Sequence, residues 1–335
     1  MKVRHYSELE KLYAGTHPIK LDSPELLFIQ EVCAENADGV RSLFAEKKLF
    51  GDVPPVIDTP YERFEGLDRI CEFVAGWNAR FGAERSFAVP CIQTIANGRV
   101  ALEVSVNFVA EGEINQVPMY IIADFRTPKM LDEVRIYCHF SMVPGLTPYR
   151  MPMFKSAHLE MGDPGLLTGA VREYYEALHH QPAVDVEKIL GSMGDEICMG
   201  GYQYYDPGKT PSGSYRMTKE DIRAAFTRMQ PYIPSGIIMR YETIIDDGKT
   251  CVIEWVHVVS KHGQENFNRI SLSCIAAYER GDDGKLFSVR IMDYAGHEKE
   301  IDWTKTPIPF EEAKKLHFIE KMLPGCGAKQ QYDML

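Results

Sequence analysis

The chain has 335 residues, 45% of them hydrophobic and 25% charged, enough for two domains with their own cores and unlike a disordered, collagenous or coiled-coil polypeptide. Its 37 basic and 48 acidic residues leave a net charge of −11, which repels phosphate backbones and anionic lipid heads, and the basic pairs Lys47-Lys48 and Lys314-Lys315 sit beside acids rather than forming a patch. No apolar run approaches the roughly 18 residues of a membrane span, and the N-terminus, polar from its second residue, lacks a signal-peptide core; the expectation is a cytoplasmic protein with no nucleic-acid or membrane partner.

Taken in chain order, residues 1–21 read as a short helical segment, and Pro24 to Lys47 as a further helical stretch. Gly66 to Phe81 spaces Ile70, Phe73, Val74, Trp77 and Phe81 along one stripe, which predicts a helix. Four strands follow, at Ser86 to Ala96, Arg99 to Val109, Val117 to Phe125 and Glu133 to Met142, with Asn97-Gly98 as the first turn. Pro144 to Gly165, rich in Pro, Met and Gly, reads as a linker.

Beyond the linker the order repeats. Leu166 to Gln181 and Val184 to Met193 are helical, and Thr218 to Met229 opens on a Thr cap with Asp221 in its first turn. Strands are expected at Gly236 to Ile245, Lys249 to Ser260, Phe267 to Tyr278 and Leu286 to Ala295. Local matches link the halves: Asn97-Gly98-Arg99 with Asp247-Gly248-Lys249, Glu103 with Glu254, and Val134-Arg135-Ile136 with Val289-Arg290-Ile291. Two diverged copies of one α+β module explain them, copy 1 over 22–155 and copy 2 over 156–308, with a closing helix and polar tail over 309–335.

The element order, the NGRVALEVSV strand after its turn and the closing DEVRIYCHF strand resemble the SnoaL-like group of the nuclear transport factor two fold. That fold also holds polyketide cyclases, ketosteroid isomerases and scytalone dehydratase. The resemblance covers about residues 22–155 and 160–303. It implies two tandem cone-shaped modules, each a curved antiparallel sheet packed against helices around a cavity. It also implies a dimer contact on the outer sheet face, which the copies could supply to each other as an internal pseudo-dimer or through a further homo-oligomer.

Strand alternation compares the copies directly, because residues two apart share a face. Val100, Leu102, Val104, Val106 and Phe108 form the apolar face of copy 1, and matching Glu103 to Glu254 sets His257 where copy 1 has Val106. On the last strand Asp293 stands where copy 1 has Cys138. Two ionisable groups on an otherwise apolar face suggest a site. The run GGYQYYDPG adds Tyr202, Tyr204, Tyr205 and Asp206 before a Pro-Gly turn. The resemblance implies that a carboxylate beside a tyrosine at this early strand faces the cavity, paired in dehydratases with a histidine; Asp206, Tyr205 and His257 fit. The second cavity histidine expected near Cys274 is missing, and the copy 1 run VIDTPY offers Asp58 and Tyr61 without a histidine.

A carboxylate bonded to one imidazole nitrogen fixes the tautomer and raises the basicity of the other, giving a base near neutral pH. Such a base removes a proton beside a carbonyl while a tyrosine donates to the enolate oxygen. The candidate catalytic residues are therefore His257, Asp206, Asp293 and Tyr205, and the candidate substrate contacts are Tyr202, Tyr204, Trp255, Tyr278 and Cys274. The expected activity is a cofactor-independent lyase or isomerase, dehydratase-like, on a mainly apolar cyclic or aromatic small molecule. A non-catalytic hydrophobic binder and a structural interaction module stand as alternatives.

Each residue has a structural reading beside the functional one. His257 could be a satisfied core histidine, Asp206 a turn initiator before Pro207-Gly208, and Asp293 an ion-pair partner of Arg240. The tyrosines, Trp255 and Tyr278 could be strand packing. Arg135 and Arg290 are expected to pair with Glu103 and Glu254 across each sheet, and His179-His180 to end a helix. The eight cysteines are scattered singly, without C-x-x-C spacing or a zinc pattern. P-loop, G-x-G-x-x-G, H-E-x-x-H and G-x-S-x-G motifs are absent, so no cofactor or metal is expected.

Overall fold

The computed structural model describes residues 19–44, 54–59, 63–138, 164–180, 183–199, 215–229, 238–260 and 269–293. The expected closing helix, most of the N-terminal segment and most of the linker lie outside them. The chain divides into two compact units, Met1–Leu159 and Glu160–Leu335, both α+β. Among the described residues no helix is long and apolar enough to cross a membrane.

Unit 1 begins with α1 (Pro24–Cys33) and α2 (Ala37–Leu43). The single helical stretch expected here breaks at Glu35, which takes φ 53°, and Asn36 caps α2 by accepting the Gly39 N–H at 3.1 Å. Strands β1 (Val56–Asp58) and β2 (Arg63–Glu65) precede α3 (Leu67–Ala75) and α4 (Trp77–Arg80). The amphipathic run read as one helix divides at Gly76, where Arg80 Nη1 takes the Phe73 carbonyl at 2.6 Å. Its stripe is nonetheless the one that packs: Ile70, Phe73, Val74 and Trp77 are all buried, and Phe81 stacks on Phe108 at 3.9 Å.

The sheet of unit 1 continues with β3 (Arg85–Ala96), β4 (Arg99–Ala110), β5 (Glu113–Thr127) and β6 (Met130–Cys138). Its order is β2-β1-β6-β5-β4-β3, antiparallel except for β1 against β6. Two-residue turns join β3 to β4 and β4 to β5, and both put two successive residues at positive φ: Asn97 at 53° with Gly98 at 73°, and Glu111 at 52° with Gly112 at 78°. That pairing is the type I′ geometry whose twist matches the strands, so the turns fix the register. On the edge strand, Gln93 Nε2 donates to Glu25 and, at 3.1 Å, to Ser23 Oγ, tying the start of α1 to the sheet.

Unit 2 contains α5 (Gly169–Leu178), α6 (Val186–Ser192), β7 (Met193–Met199), β8 (Tyr215–Thr218) and α7 (Lys219–Met229). It closes with β9 (Ile238–Asp246), β10 (Thr250–Ser260), β11 (Arg269–Arg280) and β12 (Leu286–Asp293). Its sheet order is β8-β7-β12-β11-β10-β9, position for position the order of unit 1, again with one parallel pair, β12 against β7.

The ladders compare the units more strictly than sequence matching does. Val134 lies on the row Val100–Ala123–Val134, and Val289 on the row Cys251–Tyr278–Val289. Counting from these rows makes Glu103 the counterpart of Glu254, so two matches made on separate strands agree. The turn match shifts by one: Val100 corresponds to Cys251, so Arg99 corresponds to Thr250 rather than Lys249. The physical reason is a longer loop, Asp247-Gly248-Lys249, in which the Asp247 carboxylate accepts the Lys249 and Thr250 N–H groups at 2.9 and 2.7 Å.

The polar face of each sheet is buried as well. Arg135 is wholly buried and its Nη1 donates to Asp124 at 2.7 Å and Glu133 at 3.1 Å; Arg99 holds the other Asp124 oxygen at 2.6 Å, and Arg63 holds Asp58 at 2.9 Å. In unit 2 Arg290 donates to Glu279 at 3.1 Å and to Ser288 Oγ at 2.7 Å. Asp124 and Glu279 reach the two arginines because they are diagonal neighbours on the adjacent strand. Burial alone would raise the Asp124 carboxyl, but Arg135 and Arg99 outweigh it and hold the group below its ordinary range.

Removing Arg135 takes a cation away from two buried carboxylates, Asp124 and Glu133, so Arg135→Ala should destabilise the protein by about 3–5 kcal/mol in denaturant unfolding. Because the native Asp124 value is depressed, its contribution is full above the unfolded value of about 3.9 and is lost as the pH falls through the native one. Acid titration of stability should therefore be shallower in Asp124→Asn than in the wild type.

Candidate functional site

The interior face of each sheet faces its helices, and its rows can be read side by side. In unit 1 they are Val100–Ala123–Val134, Leu102–Ile121–Ile136, Val104–Met119–Cys138 and Val106–Val117. In unit 2 they are Cys251–Tyr278–Val289, Ile253–Ala276–Ile291, Trp255–Cys274–Asp293 and His257–Leu272. The third row changes from Val, Met and Cys to Trp, Cys and Asp, and the fourth gains a histidine position. These two rows lie about 7 Å apart along the strands.

Of the nine residues singled out from the sequence, the structure describes the surroundings of Trp255 and Tyr278. Both are buried in the core of unit 2. Residues 257, 274 and 293 are located by backbone register alone, which brings 255, 274 and 293 onto one row and 257 onto the next. Tyr202, Tyr204, Tyr205 and Asp206 lie outside the described residues, as does Tyr61. Strand β7 (Met193–Met199) leads up to the GGYQYYDPG run in which the early strand was expected, and that run lies outside the described residues. The β7 pairing of Cys198 with Ser288 matches Val56 with Glu133, so Val56 corresponds by register to Cys198, and the counterpart of Asp58 lies outside the described residues. The ion pair considered between Asp293 and Arg240 has no support from the register: Arg240 lies opposite Val256, on the other face and three strands away.

Around Trp255 and Tyr278 the helix expected at Leu166 to Gln181 is present as α5, but the part its tyrosines play was overlooked. Tyr174 and Tyr175 on that helix are buried, and the Tyr175 and Tyr278 hydroxyls meet at 2.7 Å, either able to donate. The Tyr175 ring sits edge-on to Trp255 at 6.3 Å and to Tyr278 at 5.4 Å. His179, read as a helix-end cation, is the C-cap residue and buried, with its ring stacked on Tyr175 at 6.3 Å. The signal was present in the helical spacing of Val171, Tyr174, Tyr175 and Leu178, which marks one inward stripe. A second missed feature is the fork of Arg280 on Asp246, at 2.9 and 2.8 Å, with Nη2 also reaching the Thr168 carbonyl at 3.2 Å. This clamp joins the ends of β9 and β11 to the start of α5, holding the tyrosines against the sheet.

The Trp255 indole N–H is a third distinguishing feature. Trp255 is 4% exposed, and Nε1 has no hydrogen-bond partner among the described residues. An indole donor thus stands on the row that carries positions 274 and 293, with the Tyr175 ring edge-on to it at 6.3 Å. An apolar environment of this kind strengthens hydrogen bonds to a bound polar atom and shifts an imidazole or carboxyl strongly.

Unit 1 has no such chemistry on the same rows. Val104, Met119, Val106 and Val117 are buried, and burial pushes the Cys138 thiol up to about 12, so it stays protonated and unreactive at neutral pH. Asp58 is committed to Arg63. Among the described residues no group of three or more His, Cys, Asp and Glu side chains is placed to hold a metal ion.

No family model matches the chain, and no curated protein does. Among solved structures it is similar to a protein with a ketosteroid isomerase-like fold from Catenulispora acidiphila, in complex with trimethylamine, at 16% identity and a TM-score of 0.31, over 37% of this chain and 92% of that one. It is also similar to an NTF2-like protein of unknown function from Cytophaga hutchinsonii, at 14% identity and a TM-score of 0.26, over 36% of this chain and 91% of that one.

The hydroxyl pair gives a direct energetic test. Tyr175→Phe and Tyr278→Phe should each cost about 1–3 kcal/mol of unfolding free energy by stranding a buried hydroxyl, and the double variant should cost less than their sum. Strict additivity would mean that the hydroxyls do not depend on each other.

Proposed function

We propose that the chain is a tandem SnoaL-like protein whose unit 2 is a cofactor-independent lyase or isomerase, dehydratase-like, acting on a mainly apolar cyclic or aromatic small molecule. The observation that carries the reading is the contrast between the two interiors. On one strand order and one set of ladder rows, unit 1 presents Val104, Met119, Cys138 and Val106 where unit 2 presents Trp255, Cys274, Asp293 and His257. Evolution of a packed core keeps such positions apolar, since buried polar groups without partners cost stability. Their concentration on two neighbouring rows is what a ligand or reaction would require.

In this reading His257 is the base. The Asp206 or Asp293 carboxylate accepts a hydrogen bond from the N–H of its other ring nitrogen, fixing the tautomer and raising the basicity of the free nitrogen. The base takes a proton from the carbon beside a carbonyl, and Tyr205 donates to the oxygen as negative charge collects there. Return of that proton from the imidazolium to a different carbon completes an isomerisation; its transfer instead to a β-hydroxyl, which leaves as water as the C=C bond forms, completes a dehydration. Trp255, Tyr278, Cys274, Tyr202 and Tyr204 enclose the apolar body of the substrate. The apolar interior and protonated Cys138 of unit 1 favour, for that unit, the binder or scaffold role.

On a substrate found by screening hydroxylated aromatics, enones and steroid-like compounds, His257→Ala should lower turnover by about 10²–10⁴-fold with the melting midpoint kept within a few degrees. Wild-type turnover in that variant would remove the base from the mechanism.

A further inference from the structure

We draw no further inference here: the strongest candidate, the apolar surface patch of Phe87 and Val89 on one face of β3, the edge strand of the unit 1 sheet, carries nothing because nothing in the structure shows what covers it.

Discussion

Register is the constraint on which everything else in these sheets depends. Side chains alternate faces with a period of two, so a slip of one residue on β6 would drive Arg135 and Glu133 into the aromatic interior and turn Val134 and Ile136 outward. Two devices hold it. The turns at Asn97-Gly98 and Glu111-Gly112 admit only the two-residue connection their positive φ angles encode. The buried arginines then bond carboxylates one strand away, so that Arg135 with Asp124, and Arg290 with Glu279, latch the same pair of strands in both units. The buried charges specify alignment more than they add stability, since ion pairs withdrawn from water recover little beyond their desolvation.

A register held this firmly lets the interior vary. Unit 1 fills its rows with Leu, Ile, Val and Met and stacks Trp77, Phe81 and Phe108 on one side, the arrangement expected of a core chosen for packing. Unit 2 keeps the frame but substitutes a tyrosine pair, an indole and two ionisable positions. Its clamp of Arg280 on Asp246 holds the helix that carries Tyr175 in place, which matters because a hydrogen-bonding wall is useful only when rigid.

Much of this was legible in the amino-acid order, for identifiable reasons. The long strands alternate clearly and end in Asn-Gly or Asp-Gly turns, so β3, β4, β9 and β10 lie within a few residues of where the pattern puts them. The correspondences of Val106 with His257 and of Cys138 with Asp293 follow from the same period and agree with the ladders. The short strand β7 carries no clear alternation, so its residues were read as the end of a helix and the loop after it. Helix breaks at Glu35 and Gly76 depend on single backbone angles and one arginine, which periodicity does not register. The part played by Tyr175 was missed because a tyrosine on an amphipathic stripe looks like packing until its hydroxyl is seen 2.7 Å from another.

The central claim is that the altered rows of unit 2 are a ligand site built on the frame that unit 1 uses for packing. Its most direct test is a variant that gives unit 2 the residues of unit 1, Trp255→Val, His257→Val and Asp293→Cys together, compared with the wild type in a thermal-shift screen of aromatic and enone compounds. A compound at a hundred times its dissociation constant adds about 2.7 kcal/mol, enough to raise the wild-type midpoint by several degrees. The account predicts that the shift disappears in the triple variant while the variant still folds, with a ligand-free midpoint lowered by the lost volume of the buried Trp255. A variant that keeps the shift, or that collapses without it because the three residues were needed for folding, would contradict it.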